Sequence, residues 1–189
     1  PSPISAIGKG YRSVIAPDLF YYGGREFIRG KHNGEIDWVE SSREPGCLSA
    51  APYGTGDIDG CAFSFGTSDA AAQITHEAAK CHDVLDQVFL NQTGTNMPVD
   101  STAILLKAML AHGASWKPIA DKLALTMGAS PKQLSKWLGN GIPNINRVIE
   151  CTKERITLIG LGALKKDKGD IFKLPLPVDF STRLIKRRL

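Results

Sequence analysis

Several features that would mark a membrane or secreted protein are missing from the 189 residues of this chain. No apolar run approaches the roughly 18 residues that a membrane helix needs, and no secretory signal pattern is present. The chain also lacks internal repeats, low-complexity segments and a Met at its start. We therefore expect no membrane partner, and a trimmed or processed piece rather than a complete translation product.

Cysteines are few and lack the spacing of a metal site. The chain has Cys47, Cys61, Cys81 and Cys151, which form no C-x-x-C pair and, with the histidines, no zinc-finger spacing. This pattern predicts free thiols in a reducing compartment, and hence a cytoplasmic protein. It also predicts no bound metal, and we expect no cofactor.

An excess of charge of one sign is absent outside the C-terminal tail. The chain has 23 basic and 19 acidic residues, and four of the basic ones lie within the last nine residues. The rest of the chain carries 19 residues of each sign. A nucleic-acid-binding protein should have a basic face, so we expect no nucleic-acid partner. The alternation of Ile185, Arg187 and Leu189 with basic residues favours an edge strand in the tail.

Helical periodicity dominates the middle of the chain, whose overall composition is that of an ordinary globular protein. A helix is predicted from Ser68 to about Leu90, because apolar residues recur there in steps of three and four. Its stripe consists of Ile74, Ala78, Cys81, Leu85 and Val88. Further helical patterns cover residues 100–113, where Gly113 is expected to be the C-cap, 119–138 and 143–151.

Strand patterns are predicted on both sides of these helices. Residues 14–16 and 61–65 are short apolar runs, whereas residues 29–60 are rich in Gly, Ser, Asp and Pro and predict surface loops. After the helices, residues 156–161 and 170–175 are β-like and flank a charged turn. They predict a hairpin that opens a second, β-rich unit.

The stretch FGTSDAAA, residues 65–72, combines residue types that suit nucleophilic catalysis. Gly66 lets the backbone turn tightly and leaves room for a substrate. Ser68 begins a helix, where unpaired N–H groups and the helix dipole favour negative charge. Its N–H can donate to an oxyanion while its hydroxyl attacks a carbonyl. Small residues after Ser68 let the helix pass close to a sheet.

This stretch resembles the Gly-Thr-Ser-x-Ala nucleophile motif of the subtilisin-like serine proteases. Other segments resemble further motifs of that family and follow one another in its order. They are PSPISAIG at residues 1–8, IAPDL at 15–19 with Gly23 and Gly24, AILLKAMLAHGASW at 103–116, and LGNGIPNINR at 138–147. Residues 150–161 and 174–177 resemble the start of the β-rich extension that some bacterial members carry.

The resemblance implies an α/β fold, part of a subtilisin-like parallel-sheet domain with long buried helices. Residues 1–150 would be the C-terminal, nucleophile-bearing part of the peptidase domain, and residues 151–189 the start of a β-rich extension. It implies a serine endopeptidase in which Ser68 is the nucleophile and an oxyanion-hole donor, supported by Gly66 and Thr67. The substrate is a protein or peptide. The His, Asp and oxyanion Asn would come from the N-terminal part of the same protease, which makes the isolated chain inactive.

Three alternatives stand beside this interpretation. Ser68 can be only a helix N-cap, which is the commonest role of a serine at a helix start. Asp18, His32 and Ser68 follow the family's Asp, His, Ser order, although neither Asp18 nor His32 has the family's local motif. The chain can also be a catalytically inactive structural fragment.

The fourth alternative is a helix-turn-helix module over residues 119–138. Residues 120–123 would belong to its first helix and 128–130 to its turn. Residues 131–138 would form the recognition helix that enters the major groove. The exposed side chains of that helix would be Lys132, Gln133, Ser135 and Lys136.

Overall fold

A computed structural model of the chain describes residues 10–39, 46–51, 56, 58–153 and 155–174. Within them, a short 3₁₀ turn at Tyr11–Ser13 precedes two antiparallel hairpins and then a succession of helices. The strands are β1 (Phe27–Gly30), β2 (Ile36–Val39), β3 (Cys47–Ala50) and β4 (Cys61–Ser64). The helices are α1 (Thr67–Thr93), α2 (Val99–Gly113), α3 (Ala120–Thr126), α4 (Pro131–Leu138) and α5 (Asn146–Ile149).

The long helix α1 confirms the helix that was predicted from Ser68 to about Leu90. It begins one residue earlier, at Thr67, and ends at Thr93. Gly94 stops it in a left-handed conformation with φ of 74°, which glycine adopts without steric cost, and its N–H donates to the Leu90 carbonyl. Cys81 and Leu85, from the predicted apolar stripe, are fully buried.

Helices α1, α2 and α5 enclose the larger of two apolar clusters among the described residues. Its buried members are Cys81, Leu85, Met97, Leu105, Met109, Leu110, Ile145 and Val148. Gly113 ends α2 as a helical residue, and Ala114 is the C-cap instead of the expected Gly113. A Cβ at Gly113 would lie 2.7 Å from the Asn144 carbonyl oxygen, so the glycine permits close packing between α2 and the start of α5.

Helices α3 and α4 divide the continuous helical pattern predicted for residues 119–138. A turn around Gly128 separates them, with φ of 61° at that residue. Ser130 and Gln133 form a capping box at the start of α4, which satisfies backbone donors that would otherwise be unpaired. The second apolar cluster lies beneath these helices and consists of Trp116, Ala124, Leu134 and Leu138.

The strands differ from the sequence-based expectation in position and in partners. Residues 29–60 were expected to be loops, yet β2 and β3 lie among them, and β1 ends at residue 30. Residues 14–16 form no strand, whereas 61–64 do. β1 pairs with β2 and β3 with β4, each pair antiparallel, so the described residues contain mixed helices and small antiparallel sheets but no parallel sheet. At this coarse level the fold is α/β.

Residues 155–174, the C-terminal arm, lack the two strands of the predicted hairpin. They do reverse direction at the expected place, because the Lys168 N–H donates to the Lys165 carbonyl at 3.1 Å. The two halves of the arm lie side by side, and a Cβ at Gly160 would lie 2.9 Å from the Phe172 ring. Residues 157–160 also share a cleft of about 260 Å³ with α2.

None of the described helices is both long and apolar enough to cross a membrane. The segment PSPISAIG at residues 1–8 and the tail strand expected at residues 185–189 lie outside the described residues. The part of the β-rich extension expected beyond residue 174 also lies outside them.

Candidate active site

The approach to Ser68 is a sharp turn from strand to helix. β4 ends at Ser64, Phe65 follows, and Gly66 is the N-cap of α1, with φ of 150° and ψ of 174°. A side chain is strained at that φ, so the turn requires glycine. The Gly66 N–H donates to the Gly23 carbonyl at 2.7 Å. A Cβ at Gly23 would overlap the Gly66 carbonyl oxygen, so glycines are needed on both sides of this contact.

Ser68 lies in the first turn of α1, and its side chain is exposed. Neither its hydroxyl nor its N–H forms a hydrogen bond with any described residue. The first N–H groups of a helix have no acceptor within the helix, so the Ser68 N–H is available to an external oxygen. The alternative role of Ser68 as a helix cap is wrong, because Gly66 is the N-cap and no side-chain cap hydrogen bond is formed.

No histidine forms a hydrogen bond with Ser68 within the described residues. His76 is two turns further along α1, and His82 lies near Asp83, at 3.7 Å between Nδ1 and Oδ1. Helical residues eight positions apart are separated by about 12 Å along the axis. His112 is in the last turn of α2, and His32 is exposed in the turn between β1 and β2.

The Asp18–His32–Ser68 alternative is not assembled in the described part of the chain. The Asp18 carboxylate forms an ion pair with Lys107, at 2.9 Å between Oδ2 and Nζ. Its backbone carbonyl accepts a hydrogen bond from the Asn140 N–H at 2.9 Å. Asp18 is therefore oriented towards α2 and the turn after α4, and no hydrogen bond links it to His32.

Asp69, next to the candidate nucleophile, is bonded to the β3–β4 hairpin. Its Oδ1 accepts hydrogen bonds from Ser64 Oγ at 2.9 Å and from Ser49 Oγ at 3.4 Å. The two serine hydroxyls are 2.8 Å apart. One turn further along α1, Gln73 Nε2 donates to the Tyr22 carbonyl at 2.8 Å. Ser49 and Ser64 were not predicted as residues of this site. The sequence feature that could have indicated them is the alternation of side chains within the short strands β3 and β4.

Three motifs that are distant in the chain meet beside α2. The Phe20 N–H donates to the Gly141 carbonyl at 2.9 Å, next to the hydrogen bond from the Asn140 N–H to the Asp18 carbonyl. Trp116 Nε1 donates to the Gly139 carbonyl at 2.9 Å, and the rings of Phe20 and Trp116 are 5.4 Å apart. The segments 17–20, 115–116 and 139–142 are therefore a single packed unit.

Gly139 and Gly141 are required by this contact. Their φ angles are 79° and 105°. A Cβ at Gly139 would overlap the Pro17 carbonyl oxygen, and one at Gly141 would lie 2.6 Å from the Ser115 carbonyl carbon. Both the backbone conformation and the lack of space explain the glycines of this turn.

A groove of about 580 Å³, lined mainly by residues 113–118 and 142–147, lies apart from Ser68. Tyr21, Glu77, Lys117 and Arg147 are among its lining residues. Burial, and then the neighbouring Glu77 carboxylate, raise the pKa of Tyr21. Since Ser68 does not line this groove, the groove has no direct part in nucleophilic chemistry at that residue.

Within the described residues, no group of three His, Cys, Asp or Glu side chains is placed to hold a metal ion. Burial raises the pKa of the Cys81 thiol, which belongs to α1 and lies in the larger apolar cluster. A raised pKa disfavours the reactive thiolate. Comparison of the chain with protein-family models, curated proteins and solved structures finds no significant match.

Proposed function

We propose that this chain is the nucleophile-bearing part of a subtilisin-like serine endopeptidase. The observation that carries the proposal is the placement of Ser68. Its exposed hydroxyl and unbonded N–H stand together at the start of a helix of 27 residues, directly after a glycine turn from β4. An attacking oxygen and an oxyanion donor on one residue suit acyl transfer.

In the proposed reaction, Ser68 Oγ attacks the carbonyl carbon of a peptide bond. The Ser68 N–H donates to the oxygen that becomes negatively charged in the tetrahedral intermediate. The C–N bond then breaks, the proton from Oγ passes through a general base to the departing amine, and an acyl-enzyme remains on Ser68. Water cleaves this ester and restores the hydroxyl.

Partners for this chemistry are proposed to come from the N-terminal part of the same protease. They are the general-base His, the Asp that orients it, and an Asn that donates to the oxyanion. The same part would supply strands of a parallel sheet against which α1 packs. Residues 1–150 would complete that domain, and residues 151–189 would begin a β-rich extension.

Contacts between distant motifs give the proposal independent support. Gly23 and Gly24, from one motif of the resemblance, pack against residues 64–66, where the nucleophile motif begins. Segment 17–20, from the same motif as Gly23 and Gly24, packs against segments 115–116 and 139–142, from two other motifs. Segments that carry the resemblance are therefore in contact with one another in the folded chain.

The proposal is tested with a fluorophosphonate probe, which reacts only with an activated serine. We expect labelling when the chain is combined with the N-terminal part of the protease, and neither labelling nor peptide turnover by the chain alone. Ser68→Ala should abolish labelling. Thr75→Ala, which removes another exposed hydroxyl from α1, should not affect it.

Two results would contradict this assignment. Labelling that persists in Ser68→Ala would place the nucleophile elsewhere. A combined protein that folds but neither reacts with the probe nor cleaves peptides would favour the catalytically inactive alternative. Ser68-dependent turnover by the lone, monomeric chain would instead show that a base within these residues suffices.

A second candidate function, nucleic-acid binding, is favoured by the geometry of α3 and α4. The two helices pack together across the Gly128 turn, with Lys132 and Lys136 exposed on α4. Against it, Gln133 Oε1 is engaged by the Ser130 N–H at 2.7 Å and by the Ser130 hydroxyl. The side chain that should read a base is thus used as part of the helix cap.

Fluorescence anisotropy with duplex DNA at low salt separates the two functions. We expect weak binding that does not depend on the DNA sequence, because the chain has no excess of positive charge outside its last nine residues. A tight, sequence-dependent complex that is lost in Lys132→Ala and in Gln133→Ala would place the helix-turn-helix function first.

A further inference from the structure

We propose that Asp69 is a positioning residue that fixes the direction in which α1 presents Ser68. Its carboxylate would do so by holding the first turn of the helix against the β3–β4 hairpin. The catalytic meaning of this contact rests on the proposed function. The contact itself does not, and it can be tested separately.

The register of the hairpin explains why two hydroxyls reach one carboxylate. Cys47 is paired with Ser64, and Ser49 is paired with Ala62. Residues opposite each other, and those two apart along a strand, share a face, so both serines project from the face that meets α1. The other face carries Leu48, which is 66% exposed.

The two hydroxyls and the carboxylate form a short chain of hydrogen bonds, because each hydroxyl has one proton to donate. Ser64 Oγ donates to Asp69 Oδ1 at 2.9 Å. Ser49 Oγ lies 2.8 Å from Ser64 Oγ and 3.4 Å from Asp69 Oδ1, so its one proton has both oxygens as acceptors. One serine comes from each strand. The carboxylate therefore ties both strands of the hairpin to the helix.

The direction of Ser68 depends on this contact because neighbouring helical residues point about 100° apart. With Asp69 held towards the hairpin, Ser68 is turned away from it and is exposed. Gln73, one turn later, bonds to the Tyr22 carbonyl at 2.8 Å and holds the same side of the helix. Rotation of the first turn would move the Ser68 hydroxyl away from a base and its N–H away from an oxyanion.

The catalytic test uses the chain combined with the N-terminal part of the protease. We expect Asp69→Ala to lower kcat and the fluorophosphonate labelling rate by about ten-fold or more, because small displacements of a reacting group have large effects on rate. KM should change less than about two-fold, since substrate contacts are retained. Asp69→Asn should restore the rate to within about three-fold, because its amide oxygen still accepts the Ser64 hydrogen bond.

The matched control is Asp86→Ala, at the other end of the same helix. Asp86 Oδ1 accepts a hydrogen bond from the Met97 N–H at 2.8 Å. Removing it deletes a comparable carboxylate contact of α1, but one far from Ser68. We expect an unchanged labelling rate at a temperature where all variants are folded.

Hydrogen exchange in the full 189-residue chain tests the contact without any need for activity. Asp69→Ala should accelerate exchange of amides in β3, β4 and the first turn of α1 by about ten-fold, and leave α4 unchanged. If these amides exchange in Asp69→Ala at the same rate as in the wild type, the proposal is overturned.

Equal losses of activity in Asp69→Ala and Asp69→Asn would overturn it too, because charge rather than position would then matter. A third outcome separates the contact from the proposed function. If hydrogen exchange changes as expected, but the wild-type chain combined with the N-terminal part never reacts with the fluorophosphonate probe, the contact exists and the proposed function fails. The catalytic role of Asp69 then fails with it.

Discussion

The helical body, residues 67–149, and the C-terminal arm, residues 155–174, contain apolar residues that are used in opposite ways. In the body, Leu85 and Leu134 are no more than 1% exposed and lie in two continuous clusters. In the arm, Leu164 is 78% exposed and Ile171 is 94% exposed. The difference shows that hydrophobic content alone does not predict a core. The apolar residues also need a period that brings them to one side.

The largest effect should come from substitution inside the body. Leu134 is completely buried among Trp116, Ala124 and Leu138. We expect Leu134→Ala to lower the free energy of unfolding by about 3 kcal/mol, through lost burial and the cavity that remains. Denaturant unfolding followed by circular dichroism measures this loss.

Leu125→Ala is the matched control for that prediction. Leu125 belongs to the adjacent helix α3 but is 84% exposed. Its substitution should change the free energy of unfolding by less than about 0.5 kcal/mol. Equal effects of the two substitutions would mean that the second cluster is not a core in solution.

Substitution in the arm should have an equally small effect on stability. We expect Ile171→Ser to change the free energy of unfolding by less than about 0.5 kcal/mol, because this side chain is already exposed. We also expect the isolated chain to self-associate through exposed apolar side chains, and Ile171→Ser to reduce this association as measured by sedimentation velocity.

Val99→Ser provides the comparison for self-association. Val99 is 87% exposed, but it begins α2 and is not part of the arm. Association that falls as much in Val99→Ser as in Ile171→Ser would show that the arm has no special role. A large loss of stability in Ile171→Ser would show that the arm belongs to the core.

The helices could be predicted from the sequence because their periodicity is long enough to recognise. The stripe from Ile74 to Val88 predicted the buried side of α1, and the end of the helical pattern predicted at residue 138 is confirmed by the end of α4. The strands could not be predicted as well. Each has four residues, too few for alternation to be distinguished from loop composition, and β2 and β3 lie in a segment rich in turn-forming residues.

The candidate site was predictable only where its residues are adjacent in sequence. Gly66 and Ser68 follow each other along one turn, and local chemistry predicted a helix start there. The local sequence of Asp69 indicates only an acidic residue in a first helical turn, which the helix dipole favours, and its hydroxyl partners were not predicted. Ser49 is 20 positions away, and its alignment with Ser64 depends on a strand register that the sequence does not reveal.

The contact between residues 18–20 and the turn after α4 affects how the protein would respond to a cut in its backbone. Asn140 and Asp18 are 122 positions apart, yet two hydrogen bonds join them, and Lys107 adds an ion pair to Asp18. The turn at residues 31–34, between β1 and β2, is exposed. We expect a backbone cut there to leave the two pieces associated, because the segment before the cut is held by α2 and by the turn after α4. Only unfolding of the helical body would release it.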